Sequence, residues 1–177
     1  MPESSAELMS HPVEDFLSPV NLDLADATVT EVFKLMFGFD IRIVDLLNLG
    51  ASACALDERT AIVGFSGSMR GWCQIRITTS AAQSIASAML GGMPVDEHDD
   101  SINDALGELC NMHAGGWKNG VPGLSSECAL SPPTVISGRD YKVHMSKPSV
   151  KLSRTYQFNA HILHLTLCRE QTALPQG

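Results

Sequence analysis

Closely spaced strand signals in the last third of the chain constrain the fold most. From Glu127 onward, short runs of alternating apolar and polar residues follow one another with turn residues between them, and the predicted strands are Tyr141–Met145, Leu152–Asn159 and His161–Cys168. Parallel neighbours in a sheet need a crossover of about a dozen residues or more, usually a helix. These runs leave no room for such crossovers. We therefore expect a largely antiparallel sheet.

Helical patterns and further strands precede this region. Apolar residues recur at helical spacing in three segments, one of which ends at Gly38 and another at Gly91-Gly92. The predicted helices are a segment carrying Val29, Val32, Phe33, Met36 and Phe37, then Ser80–Leu90 and Ile102–Lys118. The predicted early strands are Phe39–Asp45, Thr60–Ser66 and Trp72–Thr78. Helices packed on a largely antiparallel sheet define an α+β fold.

Two helices share a pattern that indicates an internal repeat. Glu31 to Gly38 aligns without gaps with Glu108 to Gly115, and each segment is followed by strands. The shared glutamate and glycine are weak evidence alone, but they fall on the two best amphipathic helices. The sequence therefore predicts a degenerate duplication and a pseudo-twofold arrangement of the two halves.

Length and composition bound the domain organisation. The 177 residues suffice for one domain with a substantial core, and we expect a flexible leader over residues 1–22, a single domain over 23–171 and a tail over 172–177. The N-terminus carries acidic residues where a signal peptide needs basic ones, and no apolar run approaches the roughly 18 residues of a membrane span. These features predict a cytoplasmic protein without membrane insertion.

Charge and cysteine usage exclude several classes of function. The formal net charge is −8 and the 12 Lys and Arg residues form no basic stripe, which disfavours nucleic-acid binding. The five cysteines include no C-x-x-C pair, so buried free thiols are expected and neither a disulfide framework nor a zinc site is. Cys110 and His113 have i, i+3 spacing, but no second pair of ligands accompanies them.

The helix Ile102–Lys118 carries the candidate chemistry. At about 100° per residue, its apolar residues gather on one side, which must face the core. The residues of the opposite side lie within an arc of roughly 60° and are Asp104, Glu108, Asn111 and Gly115. Glycine inside a helix costs about 0.5–1 kcal/mol relative to alanine. We interpret Gly107 and Gly115 as positions where another backbone must approach closely.

Single residues of this helix admit alternative interpretations. Asp104 follows Ser101 at the spacing of a capping box, so stabilising the helix start competes with a direct role in function. Glu108 alone would be an ordinary solvated residue. Asn111 is a mediocre helix former at an exposed mid-helix position, where no structural reason for it is visible. His113 lies toward the core side and is expected to be a packed histidine.

These residues resemble a known family. The spacing Asp104-x3-Glu108-x2-Asn111-x3-Gly115 is similar to the D-x3-E-x2-N-x3-G helix of the CheC, CheX and FliY phosphatases. The segments Ala105–Met112 and Ser131–Gly138 are similar to the corresponding parts of CheX-like members, and Thr30–Met36 resembles their opening helix. The resemblance covers most of residues 25–170 and is closest to the CheX-like members.

The resemblance implies a CheC-like fold and a hydrolase that removes the phosphoryl group from the aspartyl phosphate of a CheY-like receiver domain. It implies that Asn111 orients the attacking water and that Glu108 pairs with the lysine of the receiver. Asp104, Gly107 and Gly115 would contact the partner. No cofactor is expected in this chain, because the receiver supplies Mg²⁺, and pairing as a homodimer is expected.

The first copy of the motif departs from this pattern. Lys34 occupies the position of Asn111 and Ala27 the position of Asp104. An ionised lysine has no acceptor for a hydrogen bond from water. We therefore expect one active helix, with Glu31 an ordinary surface or interface residue. The alternative function is a non-catalytic module that binds phosphorylated receivers, either as an adaptor or as a component of a flagellar switch.

Overall fold

A computed structural model describes residues 18–45, 59–124, 126–139 and 141–170. The helices are α1 (Pro19–Val32), which continues into a π-helical segment (Phe33–Phe37), α2 (Thr79–Met89) and α3 (Ser101–Gly120). The strands are β1 (Ile41–Ile43), β2 (Arg59–Gly67), β3 (Gly71–Ile77), β4 (Cys128–Leu130), β5 (Thr134–Ser137), β6 (Pro148–Phe158) and β7 (His161–Glu170). No helix among these residues is both long enough and apolar enough to cross a membrane.

Helix α1 begins earlier than the sequence pattern predicted. The Ser18 hydroxyl accepts a hydrogen bond from the Asn21 backbone N–H at 3.2 Å, and Pro19 occupies the first helical turn, where its missing N–H costs nothing. The expected leader boundary at residue 22 is therefore corrected to before Pro19. Residues 1–17 and the expected tail over 172–177 lie outside the described residues. The helical segment ends at Gly38, whose φ of 68° forms the predicted left-handed cap.

All strand pairs among the described residues are antiparallel, in agreement with the predicted largely antiparallel sheet. The sheet order is β1-β6-β7-β3-β2-β4, and β5 also pairs with β2. Two hairpins, β2–β3 and β6–β7, meet at the centre of the sheet through the β3–β7 pair. The short edge strand of each half pairs with the hairpin of the other half, since β1 pairs with β6 and β5 with β2. From either edge of the sheet, the order is a short strand followed by the two hairpins. This symmetry is the arrangement expected of the internal repeat.

The predicted strand Tyr141–Met145 is wrong. Its residues form no ladder; instead the Tyr141 hydroxyl lies 2.6 Å from the Thr60 hydroxyl. This segment lines a cleft with residues of β2 and β3, including Gln74 and Arg76. The alternation that suggested a strand reflects a segment lying across the sheet with Tyr141 and Val143 half-buried.

The core lies between one face of the sheet and the helices. Leucine, isoleucine and valine side chains of β2, β3 and β7 alternate inward and meet the buried faces of α2 and α3. A polar network joins α1 to β6, because the Tyr156 hydroxyl donates to Asp26 at 2.6 Å and Arg154 lies 3.4 Å from the same carboxylate. Burial, then the bond to Asp26, raise the pKa of Tyr156. The four described cysteines are free and buried, as predicted, and Cys54 lies outside the described residues.

Glycines of α3 allow α1 to pack closely. A Cβ at Gly116 would lie 2.6 Å from the Thr28 methyl, and one at Gly120 would lie 2.7 Å from the Leu24 methyls. Thr28 and Leu24 are one turn apart on α1, as Gly116 and Gly120 are on α3. The Thr28 hydroxyl donates to the Leu24 carbonyl at 2.8 Å, which fixes the direction of the methyl. The close approach that the glycines provide for is therefore within the chain.

Replacing Gly116 by alanine tests this packing. We expect Gly116→Ala to lower the free energy of unfolding by about 1–2 kcal/mol despite the better helix propensity of alanine, because the fixed Thr28 methyl must move. Urea denaturation measures the change. Combining Gly116→Ala with Thr28→Ser removes the methyl but keeps the hydroxyl, and should recover most of the loss. An unchanged or increased stability of the single variant would contradict the packing account.

Candidate functional site

The start of α3 is fixed by Asp99 rather than by the predicted capping box. The Asp99 carboxylate accepts a hydrogen bond from the Ser101 backbone N–H at 2.8 Å, and this backbone bond lowers the pKa of Asp99. The Ser101 hydroxyl has no hydrogen-bond partner among the described residues. The capping-box interpretation of Asp104 is therefore wrong. Its carboxylate is exposed on the surface of the helix.

A buried arginine ties this end of α3 to the rest of the domain. The Arg59 guanidinium donates to the Asn103 side chain, to the Ser137 hydroxyl at 3.2 Å, to the Thr79 hydroxyl at 3.3 Å and to the Glu97 carbonyl at 2.9 Å. It thereby joins β2, α2, α3, β5 and the loop before α3 that contains Glu97. Sequence reasoning missed this residue. The only signal is a charged residue at the start of an apolar strand, and its partners are distant in sequence.

The polar side predicted for α3, which carries Asp104, Glu108, Asn111 and Gly115 and is called the ridge below, lies on the outer side of the helix. Glu108 is exposed and Asn111 is half-buried, and the two lie one helical turn apart. Neither side chain, nor that of Asp104, has a hydrogen bond or ion pair with any residue that the structure describes. The ridge therefore presents two carboxylates and a carboxamide whose bonding groups are available to water or to a partner.

Gly107 does not belong to this exposed ridge. It is buried, and a Cβ at this position would lie 3.3 Å from the Pro133 Cγ and 3.5 Å from a Val135 methyl. The prediction that Gly107 admits a partner's backbone is therefore corrected, because the chain's own edge strand covers it. Gly115 is half-buried, and a Cβ there would make an ordinary 3.8 Å contact with Leu130.

The inner side of α3 holds His113 in the core, as predicted. Its ring stacks on that of Phe33, with centroids 6.1 Å apart and an interplanar angle of 10°. Neither ring nitrogen has a hydrogen-bond partner within the described part of the chain. Burial lowers the pKa of His113 to about 3, so the ring is neutral under ordinary conditions. His113 therefore packs against the core on the inner side of α3 and contributes no polar group to the ridge.

The described residues include no group of three or more side chains suited to holding a metal ion. The ridge itself offers the Glu108 and Asp104 carboxylates and the Asn111 carboxamide. A carboxamide both donates and accepts hydrogen bonds, so it can hold a water molecule in a set direction. A carboxylate on an exposed ridge can pair with a cationic side chain of a partner. The arrangement suits docking to another protein and positioning water there.

The model of the family described as chemotaxis phosphatase CheX matches residues 59–155, more than half of the chain. The CheY-P phosphatase CheX of Thermotoga maritima is 35% identical over 82 residues, which are 46% of this chain and 53% of that protein. The chain thus spans about half the length of this curated relative.

Solved structures share the fold. The chemotaxis protein CheX from Vibrio vulnificus aligns with a TM-score of 0.69 at 20% identity, over 85% of this chain and 96% of that one. The CheX of the Borrelia burgdorferi CheX–CheY–BeF3–Mg²⁺ complex aligns with a TM-score of 0.67 at 16% identity, over 85% and 98%. These alignments confirm the predicted CheC-like α+β architecture.

Proposed function

The chain belongs to the chemotaxis phosphatase CheX family, and from this premise we propose that it hydrolyses the aspartyl phosphate of a CheY-like receiver domain. The observation that carries the proposal is the pair of exposed Glu108 and half-buried Asn111 on α3, whose polar groups have no partner within the described residues. The named relative from Thermotoga maritima is a CheY-P phosphatase, which supports the same activity here.

The chemistry asks little of this chain beyond position. The oxygen of a water molecule bonds to phosphorus, the bond between phosphorus and the receiver's carboxylate oxygen breaks, and the carboxylate and inorganic phosphate are released with the protons of the water. Phosphoryl transfer is catalysed mainly by alignment and electrostatic stabilisation. The Mg²⁺ that neutralises the phosphoryl oxygens belongs, in this proposal, to the receiver.

Asn111 is proposed to align the water. Its Oδ1 accepts a hydrogen bond from the water and directs a lone pair of the water oxygen toward phosphorus, in line with the bond that breaks. Its Nδ2 remains available to donate to a phosphoryl oxygen. The half-buried position on a rigid helix limits the directions that the side chain can take, which favours this alignment.

Glu108 is proposed to dock the helix by pairing with the lysine of the receiver, and exposed Asp104 adds negative charge beside it. Docking of this kind places α3 over the phosphoryl group. Gly115 lies one turn beyond Asn111 and has no side chain, so a partner can approach the helix closely there. It completes the proposed contact surface. The expected homodimer and the expected cytoplasmic location remain predictions, and light scattering of the purified protein tests the first.

Glu108→Gln tests the docking role and the proposed activity together. We expect wild type to accelerate phosphate release from a phosphorylated receiver, and the variant to raise KM about tenfold with kcat within twofold, because the charge pair forms before the chemical step. Steady-state phosphate release at several salt concentrations measures both constants, and the wild-type KM should rise more steeply with salt than that of the variant. Glu127→Gln, on an exposed residue outside α3, is the control. Equal KM values for wild type and Glu108→Gln would remove the docking role.

A further inference from the structure

The edge strand beside α3 is interrupted by two prolines. Residues of β4 and β5 both pair with β2, and between them Ser131, Pro132 and Pro133 form an exposed bulge. Bulges redirect an edge strand and recur beside active sites, and proline in a sheet is confined to edges and bulges.

The bulge is anchored through Ser131. Its backbone N–H donates to the Gly64 carbonyl at 2.9 Å, and its hydroxyl accepts from the Gly64 N–H at 2.9 Å. The same hydroxyl donates to the Pro132 carbonyl at 2.9 Å. Both hydrogens that Ser131 could donate are therefore engaged within the bulge and β2.

The bulge passes alongside Asn111. Pro133 covers Gly107 and Leu130 contacts the position of Gly115, as the near approaches of a Cβ at each glycine show. These glycines are two helical turns apart, about 12 Å, and Leu130 to Pro133 spans about 10 Å of extended chain. Asn111 lies midway between the glycines and on the same face of α3. Ser131 and Pro132 therefore lie at the level of its carboxamide.

An ordinary edge strand would present backbone N–H groups at this place, and an N–H within reach of the Asn111 Oδ1 would occupy it. Proline has no N–H and a fixed φ, so Pro132 and Pro133 offer no donor and hold the bulge in one shape. With both donors of Ser131 engaged, residues 131–133 present no free donor toward Asn111. This agrees with the lack of any bond between the Asn111 side chain and the described residues.

We propose that the bulge Ser131–Pro133 is a donor-free wall that keeps the Oδ1 of Asn111 open for the attacking water. The inference rests on the proposed phosphatase function and deepens it by adding positioning residues to the same site. Pro132 and Pro133 do not contact the reacting atoms in this scheme. They act through Asn111, by denying its carbonyl a competing hydrogen bond.

The test is a double-mutant cycle on phosphate release from a phosphorylated receiver. The combined variant Pro132→Ala/Pro133→Ala, which restores two N–H groups, should lower kcat about fivefold to tenfold with KM within twofold. In the Asn111→Ala background the same two replacements should leave the residual rate unchanged, because there is no carbonyl left to occupy. Pro94→Ala, at an exposed loop position, should have no effect.

Hydrogen exchange followed by NMR gives a readout that needs no activity. In the combined variant, a restored N–H at position 132 or 133 should exchange slowly, and Asn111→Ala should abolish that protection. Wild-type kcat in the combined variant, or an equal loss in both backgrounds, would overturn the proposal. Wild-type kcat with new concentration-dependent self-association would instead assign the prolines to protecting the sheet edge. If wild type itself shows no turnover, the proposed function fails, and the exchange experiment still decides whether the prolines keep Asn111 unpaired.

Discussion

Asn111→Ala should lower kcat for phosphate release from the receiver by at least about 100-fold, the range typical of removing one preorganised polar group from a site. KM should change little, because docking is proposed to depend on Glu108. Stability should be unchanged or slightly higher, since Asn111 bonds to no described residue and alanine is the better helix former. Single-turnover decay of the phosphorylated receiver measures the change in rate, and thermal unfolding of the variant measures the change in stability.

Two further variants sharpen the role of Asn111. Asn111→Asp keeps the shape but replaces the amide by a carboxylate, which repels the phosphoryl oxygens and offers no donor, so its rate should be as low as that of Asn111→Ala. Asn119→Ala removes an exposed asparagine of the same helix and should keep the wild-type rate. Wild-type kcat in Asn111→Ala would show that the carboxamide does not position the water.

His113 should make the protein sensitive to acid. Its pKa of about 3 in the folded chain lies below the usual value of 6.5, so the unfolded state binds a proton that the folded state does not. The stability from the neutral ring is complete above pH 6.5 and is lost as the pH falls from 6.5 toward 3. The slope from this one group is at most about 1.4 kcal/mol per pH unit.

His113→Phe tests this by removing the titrating group while keeping a ring against Phe33. We expect the difference in unfolding free energy between variant and wild type, measured by urea titration, to grow in favour of the variant as the pH falls from 6.5 to 4. Taking the difference between variant and wild type cancels the contribution of the carboxylates that titrate in both proteins. Parallel stability curves over this interval would show that the buried ring does not resist protonation.

The elements that the sequence predicted well are those with an unambiguous period. Helix α3 and the two hairpins follow from apolar spacing, and Gly38 followed from the need for a left-handed residue at a helix end. The segment 141–145 failed because alternation records which side of a chain is covered, and a segment lying across a sheet face shows the same alternation as a paired strand.

The candidate site could likewise be predicted only where it depends on a clear helical period. Helical geometry alone places Glu108 and Asn111 on one exposed face, so the ridge could be read from spacing. The packing role of Gly107 could not be predicted from spacing, because it depends on contact with Pro133, which lies far along the chain. Arg59 was missed for the same reason, because its partners are brought together only by the tertiary structure. Asp99 was missed for a different reason: its bond to Ser101 belongs to a local turn, and the sequence offered a capping box at the same place.

The most direct test of the central claim is a multiple-turnover measurement. The phosphorylated receiver is mixed with Mg²⁺ and one-fiftieth as much of this protein, and inorganic phosphate is followed over time. The phosphatase account predicts that decay accelerates in proportion to the protein added and that many phosphates are released per chain. Unchanged decay, or decay that slows as the protein approaches equimolar amounts, would contradict it and indicate a protein that binds phosphorylated receivers without hydrolysing them.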